Sequence, residues 1–137
     1  MAYEISRVDY FYATLPDQPG EAYQVLSILR ELGVNLLAFA AVPIGPNRTQ
    51  LTLFPEGSLE MIAEARKADL VLDGPHHALL VRGDDEAGAL ARIHQKLDKA
   101  GVCVFASTGV ADGSGCFSYV LYVRPDDFER ASVSLGV

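Results

Sequence analysis

The sequence is poor in residues that form cross-links. Among its 137 residues there are two cysteines and no tryptophan, and aromatic residues make up 9%. Two cysteines are too few for a disulfide scaffold. The predicted strands also place Cys103 and Cys116 on the order of 20 Å apart, at ~3.3 Å per strand residue. We therefore expect both thiols to be free.

Positive charge and long apolar segments are scarce as well. The chain has 11 Lys and Arg against 18 Asp and Glu, which gives a net charge of -7 and a pI of about 4.8. This balance argues against a nucleic-acid partner, because phosphate binding needs a basic surface. No run of about 18 apolar residues is present, so we expect no membrane span. Met1-Ala2-Tyr3-Glu4 does not resemble a signal peptide, and the expected location is the cytoplasm.

Candidate catalytic and metal-binding residues do not cluster in the sequence. Cys and His lack the spacing of a zinc site, and no catalytic triad, carboxylate pair or Gly-rich nucleotide loop stands out. His76 and His77 are adjacent, so on a strand they would point to opposite faces. His94 falls at a core-facing helix position and is predicted to be a half-buried imidazole. We therefore expect no catalytic residue, no metal and no cofactor.

The most informative feature present is a pattern that occurs twice, 68 positions apart. The first copy reads Asp17-Gln18-Pro19-Gly20 and, after an amphipathic stretch, Leu32-Gly33-Val34-Asn35-Leu36. The second reads Asp85-Glu86-Ala87-Gly88 and then Ala100-Gly101-Val102-Cys103-Val104. No gap is needed between the copies. Such a repeat indicates two copies of one small domain, each near the lower size limit for an independent core.

Hydrophobic periodicity predicts the same order of elements in both copies. In the first copy we predict strands at 8–15, 34–43, 49–54 and 70–72, a first helix that ends at Gly33, and a second helix at 58–68. In the second copy we predict strands at 77–82, 102–110 and 116–124 and helices at 87–100 and 126–134. Residues 73–75 are the expected hinge, which gives domains 1–74 and 75–137. Only four residues follow the last helix, so the last strand of the second copy is predicted to be short or missing.

This order is that of an α+β protein with two tandem ferredoxin-like βαββαβ units. Right-handed crossovers place the helices on one face of each antiparallel sheet. Alternation predicts an apolar open face that carries Tyr10, Tyr12, Leu37, Phe39, Phe54, Leu80, Phe105 and Tyr122. Because apolar surface of this extent marks an interface, we expect the other unit or a second chain to cover it, and we predict a homodimer.

The repeated motif resembles the ACT domain. The resemblance rests on Asp-x-Pro-Gly at the strand-to-helix turn, about a dozen helical residues, and Gly33-Val34-Asn35-Leu36 at the start of the next strand. Two copies cover roughly residues 8–72 and 77–137, nearly the whole chain. The resemblance implies a regulatory module that binds an amino acid or another small effector between paired domains. Since no catalytic domain is attached, it also implies that the regulated enzyme is a separate chain.

The resemblance also implies which residues contact a ligand. In the first copy they are Asp17, Gln18 and Asn35, with the backbone around Pro19 and Gly20. In the second copy they are Asp85, Glu86 and Gly88. There Ala87 replaces the proline and Cys103 replaces the asparagine, which weakens the match.

Elementary chemistry is compatible with these assignments. Unpaired N–H groups and the helix dipole favour a carboxylate at a helix N-terminus, and Asp17 and Asn35 could hold an ammonium group. Alternatively, Asp17 and Asp85 only cap helices, and Asn35 only completes a turn. For the whole protein, the alternatives to an effector-binding regulator are a small cofactor-free enzyme of ferredoxin-like fold and an interaction subunit without a ligand.

Overall fold

The computed structural model describes residues 3–137, and the chain divides into two compact units. The first, which we call the N-terminal unit, is Asp9–His76. The second, the C-terminal unit, combines the segment up to Val8 with His77–Val137. The predicted domains, 1–74 and 75–137, differ from these units in the placement of the segment up to Val8.

Residues 3–137 form six strands and four helices, which follow the predicted order except that the strand predicted at 70–72 is absent. The strands are β1 (Tyr3–Pro16), β2 (Leu36–Pro43), β3 (Arg48–Pro55), β4 (Asp73–Asp84), β5 (Val104–Ala111) and β6 (Cys116–Val123). The helices are α1 (Glu21–Glu31), α2 (Ser58–Lys67), α3 (Ala89–Lys99) and α4 (Phe128–Ser134), the last preceded by a 3-10 turn at Pro125–Asp127. The bounds of α1, β2 and β3 recur 68 positions later in α3, β5 and β6. The predicted ungapped repeat is therefore confirmed in the backbone.

In the N-terminal unit the strands lie in the order β2-β3-β1-β4. β3 pairs antiparallel with both β1 and β2, and Leu53 lies opposite Phe11 on one side and Phe39 on the other. This order is that of the ferredoxin-like fold. The core forms between the sheet and the two helices, with buried residues Phe11, Ala13, Val25, Leu29, Leu51, Leu53 and Met61.

In the C-terminal unit the corresponding order is β1-β4-β6-β5. No strand follows α4 in the described chain, as the sequence predicts. The position of the fourth strand is occupied instead by the first part of β1, which precedes the repeat in sequence. The core again lies between sheet and helices, and includes Leu79, Val81, Ile93, Leu97, Phe117, Tyr119, Leu121 and Ala131.

The first part of β1 is held in the C-terminal unit by contacts of several kinds. Tyr3 and Ile5 pack against its core. The Tyr3 hydroxyl donates to the carbonyl oxygen of Ala89 at 3.1 Å, and the Tyr3 ring contacts Phe117 edge-on. Arg7 forms a two-pronged ion pair with Glu129, at 2.7 and 3.2 Å. The predicted strand begins only at Val8, because the run that is rich in aromatic and β-branched residues starts there.

The strand predicted at 70–72 is wrong. Residues 70–72 form no strand, and the predicted hinge at 73–75 is the beginning of β4. The cause is the end of α2: Asp69 has a left-handed backbone with φ of 55°, and the N–H of Leu70 donates to the carbonyl of Ala65. Leu70 and Leu72 therefore reach the core from an irregular segment.

Part of the predicted apolar open face is buried within the single chain. Tyr10, Phe54 and Leu80 are 6%, 2% and 6% exposed within the single chain. The Tyr10 ring contacts the rings of Tyr12 and Phe54, with centroids 5.3 and 5.2 Å apart. Burial of these side chains removes part of the reason to expect a second chain on this face.

Phe39 does not lie on the open face. It pairs with Leu53, whose side chain belongs to the helix-side core, and partners directly opposite in a sheet point to the same side. The prediction failed because a bulge between Leu36 and Ala38 shifts the alternation of β2 by one residue. Phe39 remains 43% exposed, since β2 is an edge strand.

No helix among residues 3–137 is long and apolar enough to cross a lipid bilayer.

If the first part of β1 completes the C-terminal unit, Tyr3→Ala should lower the free energy of unfolding by about 2 kcal/mol. The variant loses partly buried aromatic area and the hydrogen bond to Ala89. Tyr23→Ala is the matched control, because Tyr23 is 67% exposed and its loss should cost less than about 0.5 kcal/mol. Urea unfolding measures both variants. Equal stability of the two would contradict a structural role for the segment.

Candidate functional site

In the N-terminal unit, the predicted motif forms the turn between β1 and α1. The Asp17 N–H donates to the carbonyl of Asn47 at 2.8 Å, and the Gln18 N–H donates to that of Pro16. Gly20 is the residue before the helix, with φ of 88°, and α1 receives no side-chain cap. The Asp17 side chain therefore does not cap α1, so the alternative that it serves only as a helix cap is not supported. Pro19 and the other motif residues are exposed.

Asn35 forms hydrogen bonds with Glu56 and not with the turn that contains Asp17. Its side-chain amide donates to Oε1 of Glu56 at 2.9 Å, and the Glu56 N–H donates to the Asn35 carbonyl at 3.0 Å. These bonds join the start of β2 to the end of β3. Asn35 also lines a shallow hollow of about 410 Å³ together with Arg30 and Gly33.

The structure does not bring Asp17 and Asn35 together. They flank opposite ends of α1, whose 11 residues span about 16 Å at 1.5 Å per residue. One amino-acid ligand is too short to bridge them within this unit. The expectation that both hold the amine of a single effector therefore does not fit the geometry of one unit.

In the C-terminal unit, the corresponding turn has the same backbone. The Asp85 N–H donates to the carbonyl of Gly115 at 2.9 Å, and Gly88 precedes α3 with φ of 84°. A side chain at this φ is strained, which favours glycine at the start of both helices. As in the first turn, no side chain caps the helix. The repeat thus preserves hydrogen bonds as well as element bounds.

Charges at this second turn are partly compensated. Oε1 of Glu86 lies 2.9 Å from the guanidinium group of Arg92, which is six residues further along the chain and within α3. The Asp85 carboxylate has no hydrogen bond or ion pair with residues 3–137. One unpaired carboxylate therefore stands beside the N-terminus of α3.

A cavity of about 520 Å³ lies at this turn, between α3 and the edge strand β5. Its size is within the range of about 300–1,000 Å³ common for ligand pockets. The structure thus brings the three predicted residues of the second copy together around one cavity. The lining residues are Asp85, Glu86, Gly88, Ala89, Leu90, Ala91, Gly109, Val110, Ala111 and Phe117.

Sequence reasoning missed the contribution of Gly109. A Cβ atom there would lie 2.8 Å from Cδ1 of Tyr119, so the glycine makes room for the tyrosine ring. The Tyr119 hydroxyl is 2.7 Å from Nε2 of His94 on α3. This pair ties β6 to α3 next to the cavity. The prediction that the His94 imidazole is half-buried is confirmed. Nothing in the sequence indicated that Tyr119 would be its hydrogen-bond partner.

The β5–β6 turn supports the same region. Oδ1 of Asp112 accepts hydrogen bonds from the N–H and the hydroxyl of Ser114, at 2.8 and 2.7 Å. These bonds lower the pKa of Asp112 below its ordinary value, because they favour the carboxylate. Gly115 follows in this turn, and its carbonyl fixes the Asp85 loop. The predicted turn chemistry is confirmed.

The other reactive side chains do not converge. His76 contacts the rings of Tyr10 and Tyr12, whereas His77 contacts Phe128. In the part of the chain that the structure describes, no three His, Cys, Asp or Glu side chains are placed to hold a metal ion. Cys103 and Cys116 are both free and exposed, as predicted.

Solved structures share this fold. Protein BT0572 from Bacteroides thetaiotaomicron superposes with a TM-score of 0.80 at 15% identity, covering 96% of this chain and 88% of that one. The ligand-free regulatory subunit of aspartate kinase from Thermus thermophilus gives a TM-score of 0.63 at 16% identity, with coverage of 97% and 93%. A structure of aspartokinase alpha and beta subunits gives 0.58 at 18%, with coverage of 98% and 95%.

No family model matches the chain, and no curated protein matches it. At these identities the structural comparisons show the fold alone. That fold is shared with the regulatory subunit of aspartate kinase. The tandem ferredoxin-like fold predicted from the repeated motif is therefore confirmed.

Proposed function

We propose that this protein is a non-enzymatic regulator that binds a small effector, an amino acid, and acts on a separate partner enzyme in the cytoplasm. The observation that carries the proposal is the cavity at the start of α3, on a fold shared with a protein described as a regulatory subunit. Three residues selected from the sequence, Asp85, Glu86 and Gly88, line that cavity.

The cavity has complementary groups for both ends of an amino acid. The N–H groups of Leu90 and Ala91 have no backbone partner among the described residues and lie at the positive end of the α3 dipole. They suit a carboxylate. The unpaired carboxylate of Asp85 suits an ammonium group, and a charged hydrogen bond of this kind contributes about 1.5–3 kcal/mol.

The amino-acid proposal is tested by thermal unfolding in the presence of each of the twenty amino acids. A ligand that binds only the folded state stabilises it by RT ln(1 + [L]/Kd), about 2.7 kcal/mol at a hundredfold excess over Kd. We expect at least one amino acid to raise the melting temperature in a concentration-dependent way. The corresponding amino-acid amides and N-acetyl derivatives, which lack one charge each, should have little effect. No shift with any of the twenty would contradict the proposal.

We further propose that the protein is a homodimer that forms through the edge strand β2. Uncharged exposed edges are sites of strand pairing between chains, and residues 36–43 contain no charge. Large apolar side chains are exposed along and beside this strand: Leu37, Phe39, Val42 and Ile44. The other edge strand, β5, exposes fewer of them.

A lysine on this edge should therefore dissociate the dimer. Val42→Lys places a charge on β2, and Val110→Lys is the matched control at the corresponding position of β5. Light scattering at micromolar concentration should give twice the 14.8 kDa chain mass for the wild type and Val110→Lys, and the chain mass itself for Val42→Lys. A monomeric wild type would refute the dimer, and dissociation by Val110→Lys alone would place the interface on the other edge.

A further inference from the structure

The two units have the same backbone around the strand-to-helix turn but different side chains. Because the repeat is ungapped, each residue around the cavity has a counterpart 68 positions earlier. Differences between counterparts therefore reflect side-chain size and chemistry rather than a change in the chain path.

Four positions around the cavity are smaller in the C-terminal unit, among them Ala89, which replaces Glu21. Ala91 stands where the N-terminal unit has Tyr23, and Ala111 stands where it has Pro43. Gly109 replaces an alanine, which leaves the space that the Tyr119 ring fills. The smaller residues at 91 and 111 remove atoms from the helix side and the strand side of the cavity. Open space here is thus a property of the second copy's sequence.

Two other positions become more apolar. Leu90 replaces Ala22 on the helix, and Phe117 replaces Thr49 on the inner strand. With Val110 they give the cavity an aliphatic and aromatic lining. An apolar ligand group that enters such a lining gains about 25 cal/mol for each Å² removed from water.

The charges at the cavity select against an acidic side chain. Glu86 is balanced by Arg92, but Asp85 is not balanced by any group in the described residues. A second carboxylate on the ligand would meet this negative charge. A cationic side chain would have to leave water for the apolar lining without a partner, which is unfavourable.

We infer that the C-terminal unit, which departs from the motif, is the effector-binding unit, and that its cavity takes an amino acid with an apolar side chain. The inference rests on the proposed function and deepens it. The α-ammonium group lies at Asp85, the α-carboxylate at the N–H groups of Leu90 and Ala91, and the side chain against Leu90, Val110 and Phe117.

The experiment is calorimetric titration of wild type, Ala91→Tyr, Asp85→Asn and Tyr23→Ala with L-leucine, L-phenylalanine, L-aspartate and L-lysine. Ala91→Tyr introduces the residue of the first copy at an exposed helix position, so the variant should fold. Tyr23→Ala makes the reverse exchange in the N-terminal unit. Circular dichroism and melting without ligand check that all four proteins are folded.

We expect L-leucine or L-phenylalanine to bind the wild type at least tenfold more tightly than L-aspartate and L-lysine. Ala91→Tyr and Asp85→Asn should each weaken that binding at least tenfold, and Tyr23→Ala should leave it within twofold. If an amino acid binds but both C-terminal variants bind it normally, the inference is wrong and the proposed function stands. Preferred binding of L-aspartate or L-lysine refutes the effector class. If none of the twenty amino acids binds, the proposed function fails and the inference fails with it.

Discussion

Each unit depends on a fourth strand that its own βαββα repeat does not contain. In the C-terminal unit that strand is the first part of β1, where Tyr3 and Ile5 join the core and Arg7 pairs with Glu129. In the N-terminal unit it is the beginning of β4, which follows the second helix. β1 and β4 therefore each run through both units. A unit of this size buries too little apolar surface to do without such a strand, so sequence outside the repeat is needed for the stability of both.

Because the two strand-to-helix turns have the same backbone conformation, the side chains around them determine which ligand each unit can bind. Both strand-to-helix turns are fixed by the same bonds, from Asp17 to Asn47 and from Asp85 to Gly115, and by a glycine with positive φ. At the second turn, Ala91 and Ala111 replace Tyr23 and Pro43, and a cavity of about 520 Å³ lies there with Leu90 and Phe117 in its lining. The Asp-x-Pro-Gly sequence and the cavity of about 520 Å³ thus belong to different copies.

The sequence was sufficient for features that depend on local chemistry. Turn glycines, helix faces and the spacing of the copies predicted α1, α3 and the hairpins closely, because positive φ and periodic burial are local requirements. Features set by distant partners were not predictable. Residues 3–7 lie before the repeat and carry two charged side chains, and their place beside β4 makes them a strand. The bulge at Leu37, the separation of Asp17 from Asn35, and the fit of Tyr119 against Gly109 likewise depend on neighbouring strands.

We infer that a small effector binds at the start of α3, in the copy that matches the motif less well. Hydrogen exchange measured with and without the amino acid that stabilises the protein most would test it directly. Binding at this cavity should slow exchange at residues 85–91 and 109–111 and leave 17–23 unchanged, although both turns have the same backbone bonds. Slower exchange confined to 17–23 and the segment around Asn35 would contradict it.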